Sequence, residues 1–364
     1  MTSPPSASPR TLDPSYAAAR ARFLDAARRA GAEVTSFPHP MTGLDGEELA
    51  IDVARLGDAN ASNVLLIVSG THGVEGYAGS ALQSWWLDER ASDAVTGDVR
   101  VVVLHAFNPV GFSWVRRVNE DNVDLNRNFV DWTAPPSNDA YSDVADLLVP
   151  TEWTEDVQDS TTNALLAVAG DIGLDQFQQV VSGGQYGHAT GIFYGGAGPV
   201  WSHRWLDEHL PDLVGSAGRL GIIDLHTGLG EWGHGELISH ETAGDPGYDR
   251  GTDWWGEVRS MRDGESVSAS LSGDWLAAVD ALLPDVEITA VALEFGTVDV
   301  ITVMQSLRAD AWLHAHGDPT GSDSAAIRAQ VRAAFADDDP SWLTALVERF
   351  DEVSAQALDG LRGA

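Results

Sequence analysis

The sequence predicts an α/β fold, with a mostly parallel or mixed central sheet and helices on both of its faces. Two observations predict it. Apolar, β-branched runs bounded by Gly recur along the chain, among them NVLLIVS at 63–69, LGIID at 220–224 and EITAVALEF at 287–295, and read as buried strands. Segments with apolar residues at helical spacing alternate with these runs, and strands that alternate with helices form sheets covered on both sides.

Each element follows in order. Residues 1–15 are rich in Pro and Ser and are expected to be a disordered tail. From Ser15, SYAAARARFLDAARRAG carries a helical apolar pattern that stops at Gly31. GEELAIDVARLG and NVLLIVSG read as strands, and a helix runs from about Tyr77 to Arg90. DVRVVVLHAFNP is the next strand. Residues 131–190 are irregular, with helical signals in TTNALLAVA and LDQFQQVV, and read as an insertion packing over a site. EITAVALEFGT is a late strand, and SAAIRAQVRAAF and SWLTALVERFDEVSAQALDGL are closing helices. This organisation is a single domain over 16–364, with the insertion at about 131–190 and no internal repeat.

Composition narrows the possibilities. The 364 residues are 43% hydrophobic and include 13 Trp, enough for a large core. No apolar run approaches the roughly 18 residues of a membrane span. The first residues lack the apolar stretch of a signal peptide, so the expected location is the cytoplasm. With no Cys, a metal must be held by His and carboxylates. The net charge is −34 and there is no Lys, which argues against nucleic acid or anionic membranes as partners. The charge itself reads as a solubility or salt-tolerance feature.

Two short segments read as halves of one metal site. SGTHGVEGYAG holds His72 and Glu75, and IIDLHTGLG holds His226; each follows a predicted strand, where open α/β sheets bind ligands. H-x-x-E alone is a weak signal. Two His and a carboxylate, however, leave the fourth position of a zinc ion open, which is the catalytic arrangement. A third segment, Asn108 to Phe129, contains Arg116, Arg117, Asn126 and Arg127. It is either a solvated loop or a clamp in which Asn126 and Arg127 grip a carboxylate. In AVALEFGT, Glu294 ends an otherwise apolar strand, an unusual place for a carboxylate unless it handles a proton.

In chain order, His72-Gly-Val-Glu75, Arg117-Val-Asn119, Val123-Asp124-Leu125-Asn126-Arg127-Asn128-Phe129, Asp224-Leu-His226 and Leu293-Glu294-Phe295 resemble the M14 zinc carboxypeptidases. HGVEG, DLHTGLG and GQYGH…GIFYGG are closest to the bacterial branch called DUF2817. The resemblance covers roughly residues 45–300. It implies a carboxypeptidase-like fold and one Zn2+ per chain, held by His72, Glu75 and His226. It also implies that Arg117, or less directly Arg116, supports the polarised carbonyl, and that Asn126 and Arg127 hold the substrate carboxylate. Asp124 would orient His72, and Glu294 would be the general base. Tyr248 lies in the interval where the family has a mobile Tyr, but its surroundings do not fix the correspondence.

Two enzyme readings follow, a carboxypeptidase and an amidase on N-acyl amino acids, both acting on a peptide or small molecule with a free carboxylate. A non-catalytic zinc-holding module is the rival from another class. No G-x-S-x-G elbow points to a serine hydrolase. Gln185, Tyr186, His188, His234 and His240 are secondary pocket candidates. His105 reads as a core histidine, and His314 and His316 as a helix C-terminus.

Overall fold

The computed structural model describes residues 11–94, 97–268, 270–322 and 324–363. Residues 1–10 of the expected disordered tail lie outside the described residues. Residues 11–15 do not behave as a tail: Leu12 is buried, and Ser15 caps the helix Tyr16–Arg29 by accepting from Ala18 N. Leu12 joins the same apolar cluster as Phe23, so the core begins earlier than the Pro/Ser composition suggested.

The sheet has eight strands: β1 (Glu33–Thr42), β2 (Glu48–Leu56), β3 (Asn63–Ser69), β4 (Val99–His105), β5 (Arg219–Trp232), β6 (Gly235–Ser239), β7 (Arg259–Ser260) and β8 (Glu287–Gly296). Their order is β1-β2-β4-β3-β5-β8-β6-β7. The middle strands β4, β3, β5 and β8 are parallel, while β1, β2 and β6 pair antiparallel at the flanks. The expected α/β architecture is therefore found in its mixed form.

The continuous apolar runs are explained by two-sided burial. Along β3, Leu65 and Ile67 enter one apolar cluster, whereas Val64, Leu66 and Val68 enter the other. Along β4, Val101 and Val103 take the first side, and Val102 and Leu104 the second. The first cluster is closed by helices Tyr16–Arg29, Gly76–Glu89 and Pro340–Arg362, and the second by Trp201–Val214 and Trp275–Leu282. No helix among the described residues is long and apolar enough to cross a membrane.

This topology creates a switch point. From β3 the chain passes to β4 on one side, and β5 later lies against the other side of β3. Loops leaving the carboxyl ends of β3 and β5 diverge there, as at the ligand-binding crevices of open α/β sheets.

The segment between β4 and β5 contains helices Glu155–Ile172 and Leu174–Ser182, matching the helical signals within 131–190. Arg308, on helix Val300–Ala315, ties the segment down. Its guanidinium donates to Leu147 O, Leu148 O, Thr161 Oγ1, Thr162 Oγ1 and Gln305 Oε1. Arg308 is fully buried, and burial pulls its pKa down to about 10.

Candidate metal centre and its cavity

The turn after β3 is built for close approach. Gly73 lies against the Gly111 backbone, where a Cβ would overlap it. Gly73 N and Val74 N donate to the carbonyls of Arg117 and Arg116, at 3.0 and 2.8 Å. The turn bearing His72 and Glu75 is thus fastened to the loop bearing the arginines. Asn108 caps helix Pro109–Trp114 through Gly111 N and also reaches Arg117 O at 3.3 Å. Val115 then takes a left-handed conformation (φ 58), costly for a β-branched residue. After that reversal the two arginines part. Arg117 Nη1 donates to Glu75 Oε1 at 2.9 Å, while Arg116 Nε pairs with Asp310 Oδ2 at 3.0 Å.

His72, Glu75 and His226 converge, all buried, with ligand atoms within 4.8 Å of one another. His72 Nδ1 faces Glu75 Oε1, and His226 Nδ1 faces Glu75 Oε2, each at 2.9 Å. Each histidine is held from behind through its other nitrogen. His72 Nε2 meets Asp124 Oδ1 at 3.1 Å, and His226 Nε2 meets Asp224 Oδ2 at 2.7 Å. Asp224 also accepts from Thr71 Oγ1 and Trp275 Nε1. A histidine whose far nitrogen is fixed by a carboxylate presents the near one to a metal.

Three features fit a divalent cation. His72 Nδ1 is buried and, despite its 2.9 Å approach to Glu75 Oε1, makes no well-formed hydrogen bond among the described residues. The donor set is N,N,O, as catalytic zinc sites use. Glu75, Asp124, Asp224 and Glu294 gather here with Arg117 and Arg127; a metal binds neutral imidazoles, and with His72 and His226 neutral the carboxylates are in excess, which a dication would neutralise.

The electrostatics follow from burial set against neighbours. Burial would raise the Glu75 pKa, but His72 and His226 outweigh it and hold the carboxyl well below its usual range. Asp124 is likewise opposed by burial yet held low by Arg127, Arg117 and His72. Glu294 goes the other way: burial and the nearby Glu75 push it up to about 7. Glu294 is the cross-strand partner of His226 in the β5–β8 register and accepts from Leu229 N at 3.0 Å.

Asn126 and Arg127 follow Asp124 on a short 3-10 turn capped by the Asp124 carboxylate. Arg127 Nη1 bonds Asp124 Oδ2 at 3.0 Å, and Nη2 bonds Ser182 O at 2.7 Å; the guanidinium lies 4.8 Å over the Phe193 ring. The Asn126 side chain makes no hydrogen bond among the described residues, and its Oδ1 is buried. Both residues line a cavity of about 720 Å³, together with His72, Arg117, His226 and Glu294.

Some sequence candidates lie elsewhere. Arg116 is engaged by Asp310 and Asn122, and Tyr248 donates to Val258 O; neither lines the cavity. Gln185 and Tyr186 brace the loop behind Arg127, with Tyr186 Oη donating to Arg127 O. His188 pairs with Ser142, whereas His240 does line the cavity. His105 is a core residue stacked on Phe23. Sequence reasoning missed the anchoring role of Asp224. The signal was available, because residues two apart on a strand share a face and Asp224 must therefore stand beside His226.

The sequence matches the family described as "Protein of unknown function (DUF2817)" over residues 13–349. No curated protein matches it. Similar solved structures include carboxypeptidase A from Helicoverpa armigera, 15% identical with a TM-score of 0.44, covering 91% of this chain and 77% of that one. An aspartoacylase family protein from Mesorhizobium loti is 14% identical with a TM-score of 0.37, covering 84% and 68%. A succinylglutamate desuccinylase from Silicibacter sp. is 14% identical with a TM-score of 0.39, covering 78% and 66%.

Proposed function

The chain belongs to the DUF2817 family, and on that premise we propose that it is a zinc-dependent hydrolase cleaving an amide bond next to a free carboxylate. The observation that carries this reading is the convergence of His72, Glu75 and His226 on one buried point, with Glu294 on the strand beside His226. Burial and Glu75 push the Glu294 carboxyl up to about 7, which supports a proton-handling role over a purely binding one.

When bound, zinc supplies Lewis acidity toward a carbonyl and lowers the pKa of water. Glu294 accepts the proton of the attacking water and delivers it to the departing nitrogen. Arg117, anchored by Glu75 and Asp124, donates to the carbonyl oxygen as negative charge develops on it. Asn126 and Arg127 hold the free carboxylate and so orient the amide. The substrate is a small molecule or peptide.

Free and C-terminally amidated N-acyl amino acids and short peptides, assayed with and without chelator, test the reading. Amidation, or Arg127→Ala, should each lower kcat/KM by about 2–5 kcal/mol in activation free energy, and the two losses should not add. Equal turnover of free and amidated substrates would remove the carboxylate requirement.

A further inference from the structure

The cavity has two chemically distinct ends. Arg127 and Asp274 mark one. A Cβ on Gly273 would meet the Arg127 carbonyl carbon at 2.6 Å, so the segment bearing Asp274 packs on the backbone of the carboxylate clamp, and His240, which faces Asp274, adds another polar group to the lining. The other end is mainly apolar, with Thr162, Gln178, Asp299, Gln305 and Arg308 among its lining, and comes from different elements. Leu166, Leu174 and Phe177 project from the insertion helices, and Val300, Ile301 and Met304 from helix Val300–Ala315.

That end also forms an exposed rim. Seven large apolar side chains are exposed among the described residues, and four of them, Leu166, Leu174, Val300 and Ile301, line this one cavity at 56–74% exposure. Scattered exposed apolar residues need no explanation, but four that line one cavity together with the candidate metal ligands mark a ligand surface. The one cation at this end, Arg308, has its guanidinium committed to neutral acceptors and offers nothing to an anion. A membrane surface is a poor occupant for a chain of net charge −34.

Resting on the hydrolase reading above, we infer that the substrate is an N-acyl amino acid with a long apolar acyl chain. Its carboxylate sits at Asn126 and Arg127, its amide at the metal, and its chain runs along the insertion toward Leu166 and Ile301. About 720 Å³ is ample for a whole ligand of this kind.

Calorimetric titration of the Glu294→Gln protein with N-acetyl-, N-hexanoyl- and N-decanoylglycine, all below micellar concentration, tests this without requiring turnover. Kd should tighten two- to four-fold per added methylene until the rim is covered. Leu166→Asp with Ile301→Asp should abolish most of that gain. A Kd independent of chain length, or a gain that survives the double substitution, overturns the inference. So does an equal gain from Leu-Gly or Phe-Gly, which would assign the apolar end to peptide side chains. Turnover of the same series by the unmodified chain reads the hydrolase proposal separately. Tightening without hydrolysis sinks that proposal and keeps the apolar subsite, whereas hydrolysis with flat Kd values does the reverse.

Discussion

His226 and Glu294 stand opposite one another on the parallel strands β5 and β8, so a proposed metal ligand and the proposed proton acceptor are joined by sheet hydrogen bonding with no loop between them. Their separation is fixed by the register, since a one-residue slip of β8 would turn Glu294 to the opposite face of the sheet from His226. Rigid strands place catalytic groups more tightly than loops do. The glutamate's environment is equally fixed. Burial and Glu75 raise its pKa to about 7, where a carboxylate takes up and releases protons readily.

Glu294→Gln is therefore expected to keep the fold and the metal while losing at least about 100-fold in kcat, the usual span of general acid–base catalysis. Metal content and kcat measured on the same preparation check this. Near-normal turnover would mean that another group accepts the proton.

Metal removal should cost stability as well as activity. The buried carboxylates around His72, Glu75 and His226 lose the attraction of a bound dication when it is removed. A ligand at 1,000 times its Kd stabilises by about 4 kcal/mol, so chelation should lower Tm on the order of 5 °C. The effect should vanish in His72→Ala. A chelator-insensitive Tm in the unmodified chain would argue against the site.

Much of this was legible in the sequence, for identifiable reasons. β3, β4 and β8 are buried on both faces and read as unbroken apolar runs. His72, Glu75, His226 and Glu294 each follow or end such a run. β1 was not legible. It carries Pro38 and Pro40 and is mostly exposed, which is tolerated only because it is an edge strand. β6 and β7 are too short to show a period. The choice between Arg116 and Arg117 was also hidden, because it is made by the left-handed Val115 just before them. No local pattern announces a positive φ at a valine.

Asp124 is a junction rather than a simple support for His72. One buried carboxylate accepts from His72 Nε2, Arg117 Nε, Arg127 Nη1 and Asn126 N. The usual penalty for removing a group behind a metal ligand is 10–100-fold in affinity or activity. Here Asp124→Asn also leaves two largely buried guanidiniums less compensated, so stability should fall by about 3–5 kcal/mol. Denaturant unfolding at neutral pH measures it, and a loss below about 1 kcal/mol would show that the arginines find other partners.

Arg308→Met keeps the stem and removes the donors that join the segment between β4 and β5 to helix Val300–Ala315. The carbonyls of Leu147 and Leu148 lose their guanidinium partner, at a cost of about 1–3 kcal/mol for each acceptor left buried and unsatisfied. The opening should be local. Hydrogen exchange should speed up across Glu155–Ser182 while β3 and β4 keep their protection. Uniform acceleration would mean that this segment is cooperative with the sheet.

His105 gives the fold an acid sensitivity separate from the metal site. It is fully buried, stacked on Phe23 with ring centroids 4.5 Å apart, and its Nε2 meets Ser80 Oγ at 2.9 Å. Burial lowers its pKa to about 4, and Arg20 pushes in the same direction, against the pull of Asp52. In the unfolded chain it titrates near 6.5. Between those values the unfolded state holds the extra proton, so stability rises with pH across that window. The contribution is complete above about 6.5, is lost as pH falls toward 4, and changes no further below it. The span corresponds to a loss on the order of 3 kcal/mol. His314, lowered to about 3 by burial and by Arg116 and Arg328, adds to the same trend. His105→Phe retains the stacking and cannot be protonated, so its unfolding free energy should fall less steeply from pH 6.5 to 4. Parallel pH profiles for the two proteins would mean that another group sets the acid limit.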